Sequence, residues 1–132
     1  MRTPSAALRP EPDPESWRFI YGTWRGRVSR RRFWVHGVLV LFGLGALAHA
    51  LLGIAGIDAG HAEWIVNLVL LYPALAVSSK RWQDRDRSPA WVLVVLLPVI
   101  GWLWALLDNG FVRGTAGPNR YGPPPPSPGL PR

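Results

Sequence analysis

The chain has no cysteine, few acidic residues and long stretches without any charge. Its 132 residues include eight Asp and Glu against 15 Lys and Arg, so the formal net charge is +7. The absence of cysteine excludes a disulfide scaffold and thiol chemistry. Charged residues make up only 17% of the chain, against about 25% in a typical soluble domain. Hydrophobic residues reach 48% and tryptophans number eight, which excludes a wholly disordered chain.

Charge is absent from three runs of 25, 16 and 18 residues, at 33–57, 64–79 and 90–107. A membrane-spanning helix needs about 20 apolar residues. The pattern predicts an all-α integral membrane protein with three transmembrane helices, at about 33–57, 62–79 and 90–111. A soluble core is excluded because a domain of this size rarely has three helices that are apolar all round. A cleaved signal peptide does not fit, because more than 30 residues precede the first run.

Basic residues near the ends of the apolar runs predict the orientation. Arginines crowd the entry to the first run, the first link has no Lys or Arg, and the second link has four. This distribution favours a cytoplasmic N-terminus, and three full spans then place the C-terminal tail outside. Pro98 and Gly101 interrupt the third run, so a re-entrant pair of half-helices is the alternative to a full span.

The segments around the spans have distinct compositions. Residues 1–14 and 123–132 are rich in proline and are predicted to be disordered, on either side of a membrane domain over 15–122. Trp17, Ile20, Tyr21 and Trp24 recur at helical spacing. They predict an amphipathic helix over 15–25 that lies in the headgroup plane. Packing of this helix on the protein's own cytoplasmic segments is the alternative.

The arginine cluster between this helix and the first span suggests a partner. Basic residues beside a span attract the anionic lipids of the inner leaflet. Nucleic acid is not an expected partner, because the arginines directly precede a membrane span. A protein partner or a second copy of the chain remains open. The candidates for lipid or partner contact are Trp17, Trp24, Arg27, Arg30, Arg31 and Arg32.

Residues 80–88 alternate carboxylates with arginines. Asp84 and Asp86 are candidate ligands for a divalent cation, but neighbouring cations compensate both. We therefore expect Arg81, Asp84, Asp86 and Arg87 to form a structural latch of exposed ion pairs rather than a metal site.

Inside the membrane, His49 lies on the small-residue face of the first span, where helices approach closely. A bond to Asn67 or to a backbone carbonyl is favoured over a proton relay. The sequence predicts no catalytic constellation, metal site or cofactor.

Three polar segments together resemble the domain-of-unknown-function 805 family of small bacterial inner-membrane proteins. Residues 26–34 (GRVSRRRFW) are similar to its G-R-x-x-R-x-x-[FY]-W entry. Residues 80–88 (KRWQDRDRS) resemble its R-R-L-H-D-x-D-R-S loop, with Trp82 and Gln83 in place of Leu and His. Residues 114–123 (GTAGPNRYGP) are similar to its G-T-P-G-x-N-R-[FY]-G-P close, with Ala116 in place of Pro. The family-like polar positions are Arg81, Asp84, Asp86, Arg87 and Ser88 in the loop, and Gly114, Gly117, Asn119, Arg120, Tyr121 and Gly122 in the tail.

The resemblance implies a multi-pass protein of the bacterial inner membrane and supplies no catalytic residues, because the family has no established activity. We expect an accessory or scaffold protein that acts through partner or anionic-lipid contacts and is not an enzyme. The alternative is a subunit of a small transporter, which has to be oligomeric because three short helices enclose no pore. An enzyme that acts on lipid headgroups is the third hypothesis.

Overall fold

The computed structural model describes residues 13–57 and 59–126, and these confirm the all-helical prediction. The elements are α1 (Trp17–Gly22), α2 (Arg30–Arg32), a π-helix (Phe33–Val40), α3 (Leu41–Ile54), α4 (Ala59–Asp84), a 3-10 helix (Pro89–Leu96) and α5 (Ile100–Phe111). The second to fourth of these are continuous and form the first long helix, Arg30–Ile54. No sheet occurs among the described residues, where a single bridge closes a turn between Asn119 and Gly122.

The first long helix and α4 pack side by side in antiparallel directions, with Gly37 facing Val77 and Gly45 facing Leu70. Within the described residues, these two helices are long and apolar enough to cross a membrane. Only 6% of the apolar stretch of the first long helix and 17% of that of α4 are buried in the protein. A core helix of a soluble protein buries most of such a surface, so this exposure indicates contact with lipid.

Both long helices extend beyond the apolar runs that predicted them. Ser29 caps the first, since its hydroxyl accepts a hydrogen bond from the Arg32 N–H, and the helix begins three residues before the uncharged run. The second continues from the predicted end at residue 79 to Asp84. The KRWQD segment is therefore the last turn of α4, and only the residues after it form a link.

The third apolar run forms a hairpin in place of the predicted continuous span over 90–111. Its 3-10 helix and α5 have 8 and 12 residues. At rises of about 2.0 and 1.5 Å per residue, neither covers the ~30 Å hydrocarbon core. Between them Val99 has φ +62° and ψ −66°. The Ile100 N–H donates to the Pro98 carbonyl at 2.7 Å, which makes a γ-turn that reverses the chain.

The two ends of this hairpin, residues 89–111, meet at one place. Arg85 and Arg87, just before it, both pair with Asp108 near its end. Inside the hairpin, the Gly101 backbone lies against the Val94 carbonyl so closely that a Cβ would overlap it. The chain therefore returns to the end of the molecule at which α4 ends. The described part of the C-terminal tail, up to residue 126, lies at the same end as the arginine-rich entry, whereas three full spans predicted the opposite end.

Helix α1 packs on the protein itself and is shorter than the predicted helix over 15–25. Phe19 and Ile20 are buried in a cluster with Val77 of α4. Trp17 is 68% exposed, and Trp24 lies beyond the helix, with its ring 5.7 Å from that of Tyr72. The predicted aromatic face is thus divided between the protein core and the surface.

The proline-rich ends lie mostly outside the described residues. Of the segments predicted to be disordered, the structure describes 13–14 and 123–126. Residues 1–12 and 127–132 fall outside it, and the prediction of disorder there stays a prediction.

Candidate functional site

The three family-like segments are far apart in the sequence. They meet in one polar cluster, where the first long helix begins and α4 ends. Arg27 of the first segment bonds Asp84 of the second, and Asp86 of the second bonds Arg120 of the third. We call this cluster the polar node and define it by its members: Arg27, Lys80, Arg81, Gln83, Asp84, Asp86, Asp108, Thr115, Asn119 and Arg120. It is the candidate site because it unites polar residues from all three family-like segments.

Arg27 is the centre of the polar node. Its Nε lies 2.8 Å from Asp84 Oδ1, and its terminal nitrogens donate to the carbonyls of Thr115 and Gly117, each at 2.7 Å, and of Gly122 at 3.2 Å. Only 5% of Arg27 is exposed. The structure therefore corrects its assignment as a lipid contact, because its guanidinium is fully engaged with the tail and α4.

The C-terminus of α4 is capped first by its own chain. The Arg87 N–H donates to the Trp82 carbonyl and the Asp86 N–H to the Gln83 carbonyl, which is the Schellman arrangement. Asp86 has φ +57°, the left-handed conformation that this arrangement requires and that Asp tolerates better than most residues.

The C-terminal tail completes this cap. Thr115 donates to the Asp84 carbonyl through its N–H at 2.8 Å and its hydroxyl at 3.0 Å, and Asn119 Nδ2 donates to the Gln83 carbonyl at 2.9 Å. Gly114 lies so close to the Asp84 carboxylate that a Cβ would overlap it. These contacts explain why the tail pattern has a glycine, a hydroxyl and an amide at these positions.

Cationic side chains cap the end of α5. Arg81 donates to the carbonyls of Asn109, at 2.7 Å, and Val112. The three other carbonyls between Asp108 and Val112 accept from Arg85, Trp34 and Arg30. Five consecutive carbonyls at the negative end of the helix dipole are thus satisfied by side chains, three of which contribute positive charge.

Lys80 caps the C-terminal end of the short helix α1 in the same way. Its Nζ donates to the carbonyls of Phe19 at 2.6 Å and Thr23 at 2.5 Å, and it lies 5.2 Å from the centre of the Phe19 ring. Lys80 is fully buried, and these carbonyls and the aromatic face offset its desolvation.

Gln83 stands where the family-like loop has histidine, and its amide holds the entry segment. Its Nε2 donates to the Trp24 carbonyl at 2.6 Å and to Ser79 Oγ at 3.0 Å, while its Oε1 accepts from the Gly26 N–H at 3.2 Å. Both polar atoms of the side chain are therefore satisfied inside the protein.

The ion pairs of the 80–88 segment differ from the predicted latch. Asp84 bonds Arg81 as expected but also Arg27 from outside the segment. Asp86 pairs with Arg120 at 3.0 Å, and the hydrogen bond from the Arg120 side chain holds the pKa of Asp86 below its usual value. Arg87 pairs with Asp108 instead, with a terminal guanidinium nitrogen 3.7 Å from Asp108 Oδ2.

No group of three His, Asp or Glu side chains among the described residues is arranged to hold a metal ion. Asp84 and Asp86 point to different arginines and make no shared acidic pocket. Of these pairs, only that of Asp84 with Arg81 lies within the 80–88 segment, as the sequence favoured.

The remaining candidates lie on the surface or within the long helices. Arg30 and Arg31 are exposed, while Arg32 is half-buried and bonds Glu15 at 3.0 Å. His49 bonds the Gly45 carbonyl of its own helix at 2.7 Å, one of the two predicted bonds, whereas Asn67 is exposed. The other candidates already named sit at the start of the hairpin (Ser88) and in the turn of the tail (Tyr121).

Sequence reasoning missed Asp108 and Thr115. Asp108 Oδ2 accepts from Trp82 Nε1 at 2.9 Å as well as from Arg85 and Arg87. The signal was an isolated acidic residue directly after an uncharged run, with four cations in the preceding link. Thr115 lies within the family-like tail, but its pairing with the end of α4 depends on the fold.

Comparison with known proteins fits this geometry. The family model described as "Protein of unknown function (DUF805)" matches residues 21–123, which include all three segments of the polar node. The chain belongs to this family. The DUF805 resemblance proposed from the motifs is therefore confirmed.

Curated relatives of the DUF805 chain come from Escherichia coli (strain K12). The inner membrane protein YhaI is 35% identical over 102 residues, covering 77% of the chain and 85% of the relative. The inner membrane protein YhaH is 35% identical over 108 residues, covering 80% and 88%. The uncharacterized protein YiiR is 32% identical over 139 residues, covering 82% and 87%. No solved structure matches. These relatives identify the chain as a bacterial inner-membrane protein of a family whose activity is unknown.

Proposed function

We propose that the protein is a non-enzymatic accessory or scaffold protein, which acts through contacts of its exposed basic end with anionic lipids or a partner protein. The observation that supports this proposal is the division of its cations into two sets. One set is buried in the polar node and bonded there: Arg27, Lys80 and Arg81. The other set is exposed and has no ion-pair partner among the described residues: Arg18, Arg25, Arg30, Arg31 and Arg113.

The basic end faces the cytoplasm in this proposal. Every Lys and Arg of the described residues lies within 18–32, within 80–87 or in the tail after α5. The hairpin brings these three segments together. The residues that connect the two long helices at the opposite end have no Lys or Arg. By the positive-inside rule both described ends of the chain are then cytoplasmic, and each basic residue near an anionic leaflet contributes about 1 kcal/mol.

The hairpin enters the membrane from the cytoplasmic side without crossing it. Its outer residues, including Leu93, Leu96, Ile100 and Trp102, are apolar and exposed. At its tip the Leu97 and Ile100 N–H groups donate to Val94 and Pro98. These bonds satisfy part of the non-helical backbone, which is costly to leave unpaired in hydrocarbon.

The acidic residues of the polar node support a structural rather than a catalytic role. Asp84, Asp86 and Asp108 each bond at least one arginine. A general acid or base has to be available to the reacting group, whereas these carboxylates are committed to holding segments together.

Purification in mild detergent with lipid and protein analysis tests the proposal. We expect co-purified anionic phospholipid, with less retained when Arg25 and Arg31 are both changed to Gln. The matched control is the double change of the same residues to Lys, which keeps the charge and should keep the lipid.

Other outcomes assign other functions. A recurrent stoichiometric protein in the purified sample would favour partner contact over lipid contact. A homo-oligomer that is stabilised by a solute and indifferent to anionic lipid would contradict the proposal and favour the transporter hypothesis.

A further inference from the structure

A groove of about 370 Å³ lies between the start of the first long helix and the end of α5. Ser29, Arg30 and Arg113 line it, together with Gly114 and Thr115 of the tail. The groove thus borders the polar node but opens to the surface through Arg30 and Arg113, which are exposed.

The groove is positively charged. The buried Arg27–Asp84 pair also lines it, but Asp84 is already bonded to two arginines, Arg27 and Arg81. Arg113 has no ion pair or side-chain hydrogen bond among the described residues, and Arg30 makes one bond, to the Phe111 carbonyl at 3.2 Å. Two guanidinium groups therefore face the groove without a carboxylate of their own.

The backbone adds to this preference for an anion. Ser29 caps the first long helix, and the N–H groups of Arg30 and Arg31 have no acceptor among the described residues. The first N–H groups of a helix have no partner within the helix, and its dipole makes this end positive. The helix end supplements the two arginines, which are the main feature of the groove.

The position of the groove relative to the membrane identifies the source of the anion. Arg30 lies three residues before the uncharged run begins at residue 33. Directly beyond, the rings of Trp34 and Phe111 are 5.6 Å apart, and tryptophan is enriched at the membrane interface. A phosphate between Arg30 and Arg113 is therefore at headgroup level, with acyl chains free to follow the exposed Phe111 ring.

We propose that this groove binds the phosphodiester headgroup of one anionic phospholipid, with the guanidinium groups of Arg30 and Arg113 on the phosphate oxygens. The inference rests on the proposed lipid contact of the basic end and narrows it to one site. A zwitterionic headgroup is disfavoured because its ammonium group finds no unpaired carboxylate among the described residues of the groove.

Native mass spectrometry of the purified chain in detergent, titrated with phosphatidylglycerol, tests the site. Phosphatidylethanolamine with the same acyl chains is the zwitterionic probe, and glycerol phosphate is the probe for a free phosphate. The site variant is Arg30→Gln with Arg113→Gln. The control is Arg18→Gln with Arg25→Gln, which removes the same charge from exposed arginines that do not line the groove.

We expect the wild type to prefer phosphatidylglycerol and the site variant to bind it at least about tenfold more weakly, as for the loss of one charge-assisted hydrogen bond. The control variant removes the same charge from the basic end outside the groove, so it should weaken binding clearly less than the site variant. Because Arg30 also caps α5, Arg113→Gln alone provides the test if the double variant does not fold, and it should lose affinity as well.

The contrary outcomes separate the two proposals. Equal weakening in both double variants would mean diffuse attraction, which overturns the site and leaves the proposed function standing. If the wild type binds phosphatidylglycerol and phosphatidylethanolamine equally well, both the proposed lipid contact of the basic end and the lipid site in the groove are overturned. Displacement of the lipid by millimolar glycerol phosphate would assign the groove to a free phosphate and overturn the lipid assignment.

Discussion

Arg27 and Asp84 are 57 positions apart in the chain, and their side chains form a buried ion pair with Nε and Oδ1 separated by 2.8 Å. The pair joins the entry to the first long helix with the end of α4. The tail wraps around the same guanidinium through its backbone carbonyls. One buried charge pair therefore fixes three segments of the chain relative to one another.

Removing the carboxylate at this position should be strongly destabilising. Asp84→Asn leaves Arg27 and Arg81 buried without their anion, and removal of one partner of a buried pair costs about 3–5 kcal/mol. The matched control is Asp86→Asn, which removes only an exposed pair with Arg120 that solvent screens, so its effect should be small. Thermal unfolding in detergent should show a much larger decrease in Tm for Asp84→Asn. Similar decreases for the two variants would contradict the central role of Asp84.

The close contact between the tail and α4 predicts the effect of a single methyl group. Gly114→Ala places a Cβ against the Asp84 carboxylate and should displace the tail, with faster proteolysis after Arg113 and a lower Tm. Gly22→Ala is the control, because a Cβ there meets nothing within 4 Å. If both variants are cleaved at the wild-type rate, the tail does not dock as described.

The hairpin predicts which positions are accessible from the same side of the membrane. Single cysteines at Ser88 and Ala116 should resist an impermeant thiol reagent on intact cells, whereas a cysteine at His61 should react. All three positions are exposed, and the chain has no natural cysteine. Permeabilised cells provide the control, since all three should then react. Labelling of Ala116→Cys on intact cells would restore the full third span.

The tip of the hairpin is strained at Val99. A β-branched residue at φ +62° is unfavourable by about 1–3 kcal/mol. Val99→Gly should therefore raise the Tm in detergent relative to Val99→Ala, which removes the branch but keeps a Cβ. Equal or lower stability of the glycine variant would mean that the chain turns here in another conformation.

The pair of Asp86 and Arg120 predicts a pH effect. The hydrogen bond from Arg120 lowers the pKa of Asp86, so the pair contributes stability above the ordinary aspartate pKa. That contribution is lost as the pH falls through the lowered pKa of the folded protein. Arg120→Gln should return the Asp86 pKa toward its usual value, measured from the carboxyl ¹³C shift and assigned with Asp86→Asn. An unchanged titration would show that Arg120 does not bond Asp86 in solution.

Much of the fold was predictable because it depends on local properties of the chain. The uncharged runs predicted the two long helices, since length and composition alone decide whether a helix suits a membrane. The order and spacing of the three polar motifs predicted the family. Pro98 and Gly101 marked the third run as open to interruption, and the structure places the chain reversal between them.

The partners within the polar node were not predictable in the same way. Residues 80–88 contain enough opposite charge to pair internally, and this suggested Arg87 as a local partner for the carboxylates. The structure pairs Asp86 with Arg120, 34 positions away, and leaves Arg87 to Asp108. Exposed ion pairs are weak, and several cations could pair equally well with a given carboxylate. Only the proximity created by folding selects among them.

The sequence by itself determined that this is a helical membrane protein of the DUF805 family with a basic end. Apolar length, charge segregation and motif spacing are properties of the chain that hold before it folds. The tertiary structure decided that the third run turns back and which arginines are buried. Both outcomes involve contacts between segments that are distant in the sequence: Arg81 bonds a carbonyl at the end of α5, and the tail satisfies Asp84, Gln83 and Arg27 at the end of α4. Those contacts require the end of α4 and the end of α5 to lie at the same end of the molecule.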